Sequence, residues 1–230
     1  MTFQMVMLSN FLSAQAVTIY SESGWNGRSR SFTAEGRYQL NEWEVRSIRI
    51  QDGYVVQMAN ESGCTGVCTF WRNESGTGRV TIGARGCFIT IIRSNASNAR
   101  LLASFVTGSD DLRAGSFASL QCRVQGIGIR SSRPGPHRGV PNGGRGSLVL
   151  NINGTHLHQI LDLSVTFRSG SSGTPFETTD NWNVNELVIS YTSSSFPEPI
   201  TIWRGNGNPL VRFTGENTQF NMPVYSSKCN

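Results

Sequence analysis

Two stretches of this chain repeat one another. Residues 17–27, VTIYSESGWNG, and residues 56–66, VQMANESGCTG, align without a gap on Glu22/Glu61, Ser23/Ser62, Gly24/Gly63 and Gly27/Gly66, an offset of thirty-nine residues. The register continues: Phe32 falls on Trp71, Glu35 on Glu74 and Ile50 on Ile89. Repeat architectures built by stacking need at least three copies to bury a continuous core. Two copies therefore imply one domain assembled from two similar units.

Within a unit, Val17, Ile19 and Tyr20 suit a strand, and the polar ESGWNG suits a tight connection to the next one. Arg28–Phe32 follows, then a loop, then the alternating VRSIRI (45–50), which places Val45, Ser47 and Arg49 on one face. Four short antiparallel strands per unit is the Greek-key count. Tyr20, Trp25, Gly27 and, twenty residues on, Ser47 before IRIQDGY resemble the βγ-crystallin motif. The resemblance spans about residues 16–93 and implies a double Greek-key domain. There the hairpin aromatic packs on a fold-over, the glycine permits it and the serine ties it down. The second unit departs from the pattern. It keeps Gly66, but Ala59, Cys64 and Gly86 replace Tyr20, Trp25 and Ser47.

Calcium-binding members of that family carry two Asn/Asp, two variable residues, Ser/Thr and Ser before the serine strand. The aligned windows here, Glu42–Ser47 and Thr81–Gly86, put Arg46 and Arg85 where the resemblance expects a ligand hydroxyl. A guanidinium has no lone pair to offer a cation. No calcium is therefore expected at the crystallin sites, and crosswise pairs Arg46–Glu61 and Arg85–Glu22 are expected in its place.

Composition bounds the rest. Of 230 residues, 15% are charged and 25 are glycine, and no stretch sustains helical periodicity, which points to an all-β chain. Residues 1–16 are apolar and end in Ala14-Gln15-Ala16, a small-x-small pattern that reads as a signal-peptide remnant or a disordered tail, hence a secreted protein. No run reaches the ~18 apolar residues of a membrane span. Five cysteines, Cys64, Cys68, Cys87, Cys122 and Cys229, leave at least one thiol unpaired, and a Cys122–Cys229 bridge is one expected disulfide. The net charge of +5 is concentrated in Gly126–Gly146, where Arg130, Arg133, Arg138 and Arg145 stand among Gly and Pro with no acid. That segment reads as a mobile basic loop able to contact anions. It lacks aromatic residues, so specific nucleic-acid binding is not expected.

Residues 94–99 read as a linker. Beyond it, LLASFV, ASLQCRV, SLVLNI, LDLSVTF, ELVISY, ITIW, LVRF and FNMPV predict an eight-stranded antiparallel β-sandwich over residues 100–226. GSDDLRAGS (108–116), DNWNVNELVIS (180–190) and PLVRFTG (209–215) are similar to PLAT/C2-like modules of secreted bacterial proteins. If the first two loops meet, oxygens of Asp110, Asp111, Asp180, Asn181 and Asn183 make a candidate calcium site in this second domain, the only cofactor expected. Trp182 beside it is a candidate ligand contact, or a buried anchor. His156 and His158 read as surface residues, and no nucleophile elbow or phosphate-binding loop is present. The expected protein is a monomeric, non-enzymatic one that binds a glycan or a membrane surface through its loops. A secreted antimicrobial or cytotoxic protein is the alternative.

Overall fold

The computed structural model describes residues 15–224 except 42, 60–67, 73–78, 86–87, 94–96, 114, 136–138 and 171–179; of residues 59, 68–72 and 79–85 only the backbone is described. The chain is all-β. Its described residues hold sixteen strands in four antiparallel sheets, with two three-residue 3-10 turns, Ser23–Trp25 and Leu157–Gln159.

The first eight strands are β1 (Val17–Tyr20), β2 (Ser29–Phe32), β3 (Gly36–Gln39), β4 (Glu44–Ile50), β5 (Tyr54–Ala59), β6 (Cys68–Arg72), β7 (Arg79–Arg85) and β8 (Phe88–Arg93). They form two sheets of order β2-β1-β4-β7 and β3-β8-β5-β6. Each unit thus gives one strand to the other's sheet: β3 crosses to β8, and β7 crosses to β4. The exchange obeys the two-fold relation implied by the repeat. Apolar residues of both sheets, Ile19, Val45, Ile48, Val56, Ile89 and Ile91 among them, close one core. The register of β4 against β7 shifts between Val45 and Ser47. Val45, Ile48 and Ile50 are in the core, and the expected Val45–Ser47–Arg49 face does not hold as a unit. Ser47 is buried for another reason, because the β1–β2 hairpin lies over it. Its Oγ donates to the Glu22 carbonyl at 2.6 Å and accepts from the Trp25 amide at 3.2 Å. Trp25, Gly24 and Gly27 all have φ near +70°, and a Cβ on Gly27 would run into the Ser21 hydroxyl at 2.5 Å. Glycine there is required by space as well as by backbone angle.

The second half comprises β9 (Arg100–Thr107), β10 (Phe117–Val124), β11 (Gly128–Ser131), β12 (Arg145–Asn151), β13 (Ile160–Arg168), β14 (Trp182–Thr192), β15 (Ile200–Phe213) and β16 (Gln219–Pro223). The sheets run β12-β9-β14-β15 and β11-β10-β13-β16, and their inward residues alternate into one sandwich-like core. Eight strands were expected, but two of them differ. ITIW and LVRF are both parts of β15, whose register against β14 shifts between Val184 and Glu186 to accommodate the extra residues. The eighth strand is instead β11, inside the segment read as a mobile loop. The described residues of that segment are tied down at several points. β11 pairs with β10, and the Ser132 amide and hydroxyl both bond Leu120. Gly135 pairs with Ala118, Val140 pairs with Leu112, and the Thr107 hydroxyl donates to the carbonyls of Pro141 and Gly144.

The two halves touch directly. Val55 and Ile92, on β5 and β8, are fully buried and belong to the second half's core. The Gln57 amide donates to the Thr201 carbonyl at 2.7 Å, and the Ser195 hydroxyl to Glu35 at 2.6 Å. Residues 97 and 98, the described part of the expected linker with Ala99, are bonded to Ser194.

Candidate functional site

The two acidic loops do meet at one end of the second half. The Asn183 amide donates to the Asp110 carbonyl at 3.1 Å, and the Asn183 side chain to the Ser109 hydroxyl at 3.2 Å. Arginines, however, are the cations found there. Arg113 Nε lies 3.5 Å from Asp111 Oδ1 and 3.5 Å from Asp180 Oδ1, and Arg212 lies 3.6 Å from Asp110 Oδ2. Asp180, 4% exposed, also accepts from the Ser116 hydroxyl at 2.5 Å and from the Arg113 amide at 3.2 Å. Asn181 is half-buried and Asn183 buried. No group of three or more His, Cys, Asp or Glu among the described residues is arranged to hold a metal ion.

Trp182 is not a ligand contact. β14 begins at this residue and turns the ring inward, where it stacks on Phe213 at 5.1 Å and meets Phe105 edge-on at 4.9 Å with no exposed surface. Aromatic pairs in such arrangements contribute about 0.5–1.5 kcal/mol beyond the area they bury. One end of the expected Cys122–Cys229 bridge falls outside the described residues. Cys122 is a free thiol, buried between β11 and β13, and burial pushes its pKa up to about 11. Cys229 lies outside the described residues, as do Arg138 and Gly66.

Five arginines of the first half are engaged. Arg28 lies over Trp43, Arg30 over Phe32, Arg37 over Phe88 and Arg49 over Trp25. Arg46 pairs with Glu44 on its own strand at 2.9 Å. Its expected partner Glu61, and the Arg85 side chain, fall outside the described residues. The His156 and His158 rings lie tilted against each other at 42°, centroids 5.2 Å apart, at the Leu157–Gln159 turn.

What the sequence reading missed are the outward faces of the second half's two sheets. On the β11-β10-β13-β16 sheet a groove of about 500 Å³ is lined by Gln121, Ser164, Gln219 and Asn221, with Ile129 on one wall. The same cross-strand row that sets Gln121 against Ser164 sets Ser164 against Asn221. At its end Arg123 and Asp162 form an ion pair, Nε to Oδ2 at 2.7 Å. On the β12-β9-β14-β15 sheet a second groove of about 510 Å³ has Ser104, Ser147 and Val188 on its floor, Glu186 within it, and Arg145 and Arg204 on its two outer strands. The signal was present in the polar alternates of ASLQCRV, LDLSVTF and QFNMP. Periodicity identifies such residues as outward without telling that neighbouring strands align them.

No helix among the described residues is long and apolar enough to cross a membrane. No protein-family model matches the chain, and no curated protein matches it. Among solved structures it is similar to the Abundant Perithecial Protein (APP) from Neurospora crassa, with 12% identity over 81% of this chain and 83% of that one, at a TM-score of 0.27. A superposition of that quality fixes neither fold family nor function.

Proposed function

We propose that this chain is a secreted, non-catalytic glycan-binding protein: a crystallin-type double Greek key carrying a β-sandwich whose β11-β10-β13-β16 face holds a neutral sugar chain. The Greek-key half of the reading is supported by the strand exchange between its sheets and by the Ser47 bonds to the folded hairpin. The single observation behind the binding half is the groove lined by Gln121, Ser164, Gln219 and Asn221. Amides and a hydroxyl offer donors and acceptors together, the complement of sugar hydroxyls. Its two charged residues, Arg123 and Asp162, neutralise each other and leave no poised acid or base. The test is titration of the full chain with neutral soluble polysaccharides. Wild type should bind, and the Gln121→Ala/Asn221→Ala double variant should bind at least about tenfold more weakly, since each side-chain hydrogen bond contributes ~0.5–1.5 kcal/mol. Failure of every neutral glycan to bind, or unchanged binding by the variant, rejects the reading.

One observation favours a second reading, contact with a membrane. Ile127 and Ile129, 54% and 69% exposed, sit on the β10–β11 hairpin near Arg130 and Arg133. Binding to anionic vesicles that is lost in Ile127→Asp/Ile129→Asp would support it, and leakage of those vesicles would favour the cytotoxic alternative.

A further inference from the structure

We infer that the outward face of the β12-β9-β14-β15 sheet is a separate site for a linear polyanionic glycan, one that carries carboxylates or sulfates along its length. It deepens the glycan-binding reading but uses the other sheet, and it can fail while that reading stands.

Three observations converge on this face. The first is the pair of unengaged cations. Among the described residues neither Arg145 nor Arg204 has an ion-pair, hydrogen-bond or ring partner, whereas Arg28, Arg30, Arg37 and Arg49 lie over rings and Arg113, Arg123 and Arg212 are held by carboxylates. A guanidinium left free at the rim of a groove presents its fork of donors to a planar oxyanion.

The second is their spacing. Arg145 is on β12 opposite Val106, and Arg204 is on β15 opposite Val188, at the two outer edges of a four-stranded sheet. Three interstrand steps and a two-residue stagger separate them, roughly 16 Å at about 4.8 Å per step and about 3.4 Å per residue. One small anion cannot bridge that gap. A chain crossing the strands, with an acidic group near each end of the crossing, can.

The third is what lies between. Ser104 and Ser147 supply hydroxyls, and Val106 and Val188 supply an apolar floor. Glu186, half-buried in the same groove, can accept from sugar hydroxyls while opposing a second anion at the centre. The pattern is cation, acceptor, cation. It suits acidic groups alternating with hydroxyl-bearing stretches better than a uniform run of charge. Phe105, the one aromatic residue at the groove, is 2% exposed with its ring turned inward onto Trp182, so the face offers no platform for stacking bases. A single-stranded nucleic acid relies on such stacking, and the glycan is the better fit.

The experiment titrates the full chain with polygalacturonate (carboxylate), dextran sulfate (sulfate), neutral dextran and oligo-dT. Three proteins are compared: wild type, Arg145→Ala/Arg204→Ala, and Arg168→Ala as a control for an exposed arginine on the other sheet, outside both grooves. The expected result is binding of at least one of the two acidic polymers that weakens as salt rises, with an affinity loss of about tenfold or more in the double variant. The thermal melt should be unchanged, because both side chains are exposed, and Arg168→Ala should bind like wild type. Preference between polygalacturonate and dextran sulfate then identifies the acidic group. No acidic polymer binding, an equal loss in Arg168→Ala, or oligo-dT binding as tightly as the polysaccharides overturns the inference. Binding of neutral dextran that persists in the double variant, without acidic binding, overturns this inference alone and leaves the first groove standing.

Discussion

The Ser47 hydroxyl serves two backbone groups at once, as donor to Glu22 and acceptor from Trp25. Ser47→Ala leaves both under the folded hairpin without that partner. It should cost about 1–3 kcal/mol in denaturant unfolding, with an unchanged slope. Cys122 makes a sharper residue-scale prediction. Its thiol is held neutral by burial, opposed only in part by Arg130. In the unfolded chain the group ionises near its ordinary value of 9.0, and in the folded chain at about 11. The neutral form is the one the fold favours, so its contribution is fully present below pH 9.0 and is lost as pH rises toward about 11. Native protein should therefore react with a thiol reagent at pH 8 far more slowly than denaturant-unfolded protein. The stability decline at alkaline pH should be shallower in Cys122→Ala than in wild type. These two side chains differ in how far sequence reaches. Ser47 was legible because its partners are fixed by a motif within one unit. Cys122 was not, because burial depends on β11 and β13 packing against its strand.

At the scale of elements, β11 is the instructive case. A segment rich in Gly, Pro and Arg carries the local signs of a loop, yet it closes an edge of the second half. Its stability comes from the neighbour. Leu120 and Ser132 exchange hydrogen bonds through both the amide and the hydroxyl, and Ser132 is 7% exposed. Ser132→Ala should strip the Leu120 amide of its side-chain acceptor, cost about 1–3 kcal/mol, and speed tryptic cleavage after Arg130, the bond after Arg133 being closed to trypsin by Pro134. If the wild-type segment is already cut as fast as the variant, the edge strand does not persist in solution. β12 carries the same lesson through Gly146. The Phe105 ring presses on its α-carbon and leaves no room for a side chain, so a glycine that reads as part of a flexible run is a packing residue.

For the whole molecule, the consequence of Val55 and Ile92 entering the second half's core is mechanical coupling. β5 reads Tyr-Val-Val-Gln-Met, and its described residues Val55 to Met58 are all buried, Val56 toward one core and Val55 toward the other. A strand covered on both faces loses the alternation that marks a half-exposed one. Calorimetry should give one endotherm for the chain, and Ile92→Ala should lower it as a unit, by about 2–5 kcal/mol, the cost of an emptied core site. Two separate endotherms in wild type would mean that the halves unfold independently. The sequence by itself determined the all-β class, the two-unit repeat and most strands, because turn residues and period-two alternation are local properties of the chain. Only the tertiary structure decided that arginines answer the carboxylates of the two acidic loops, that Trp182 faces inward, and that the polar alternates of neighbouring strands line up into two grooves. Those outcomes depend on strand register and sheet order, which are set by partners distant in sequence and leave no trace in any single window of it.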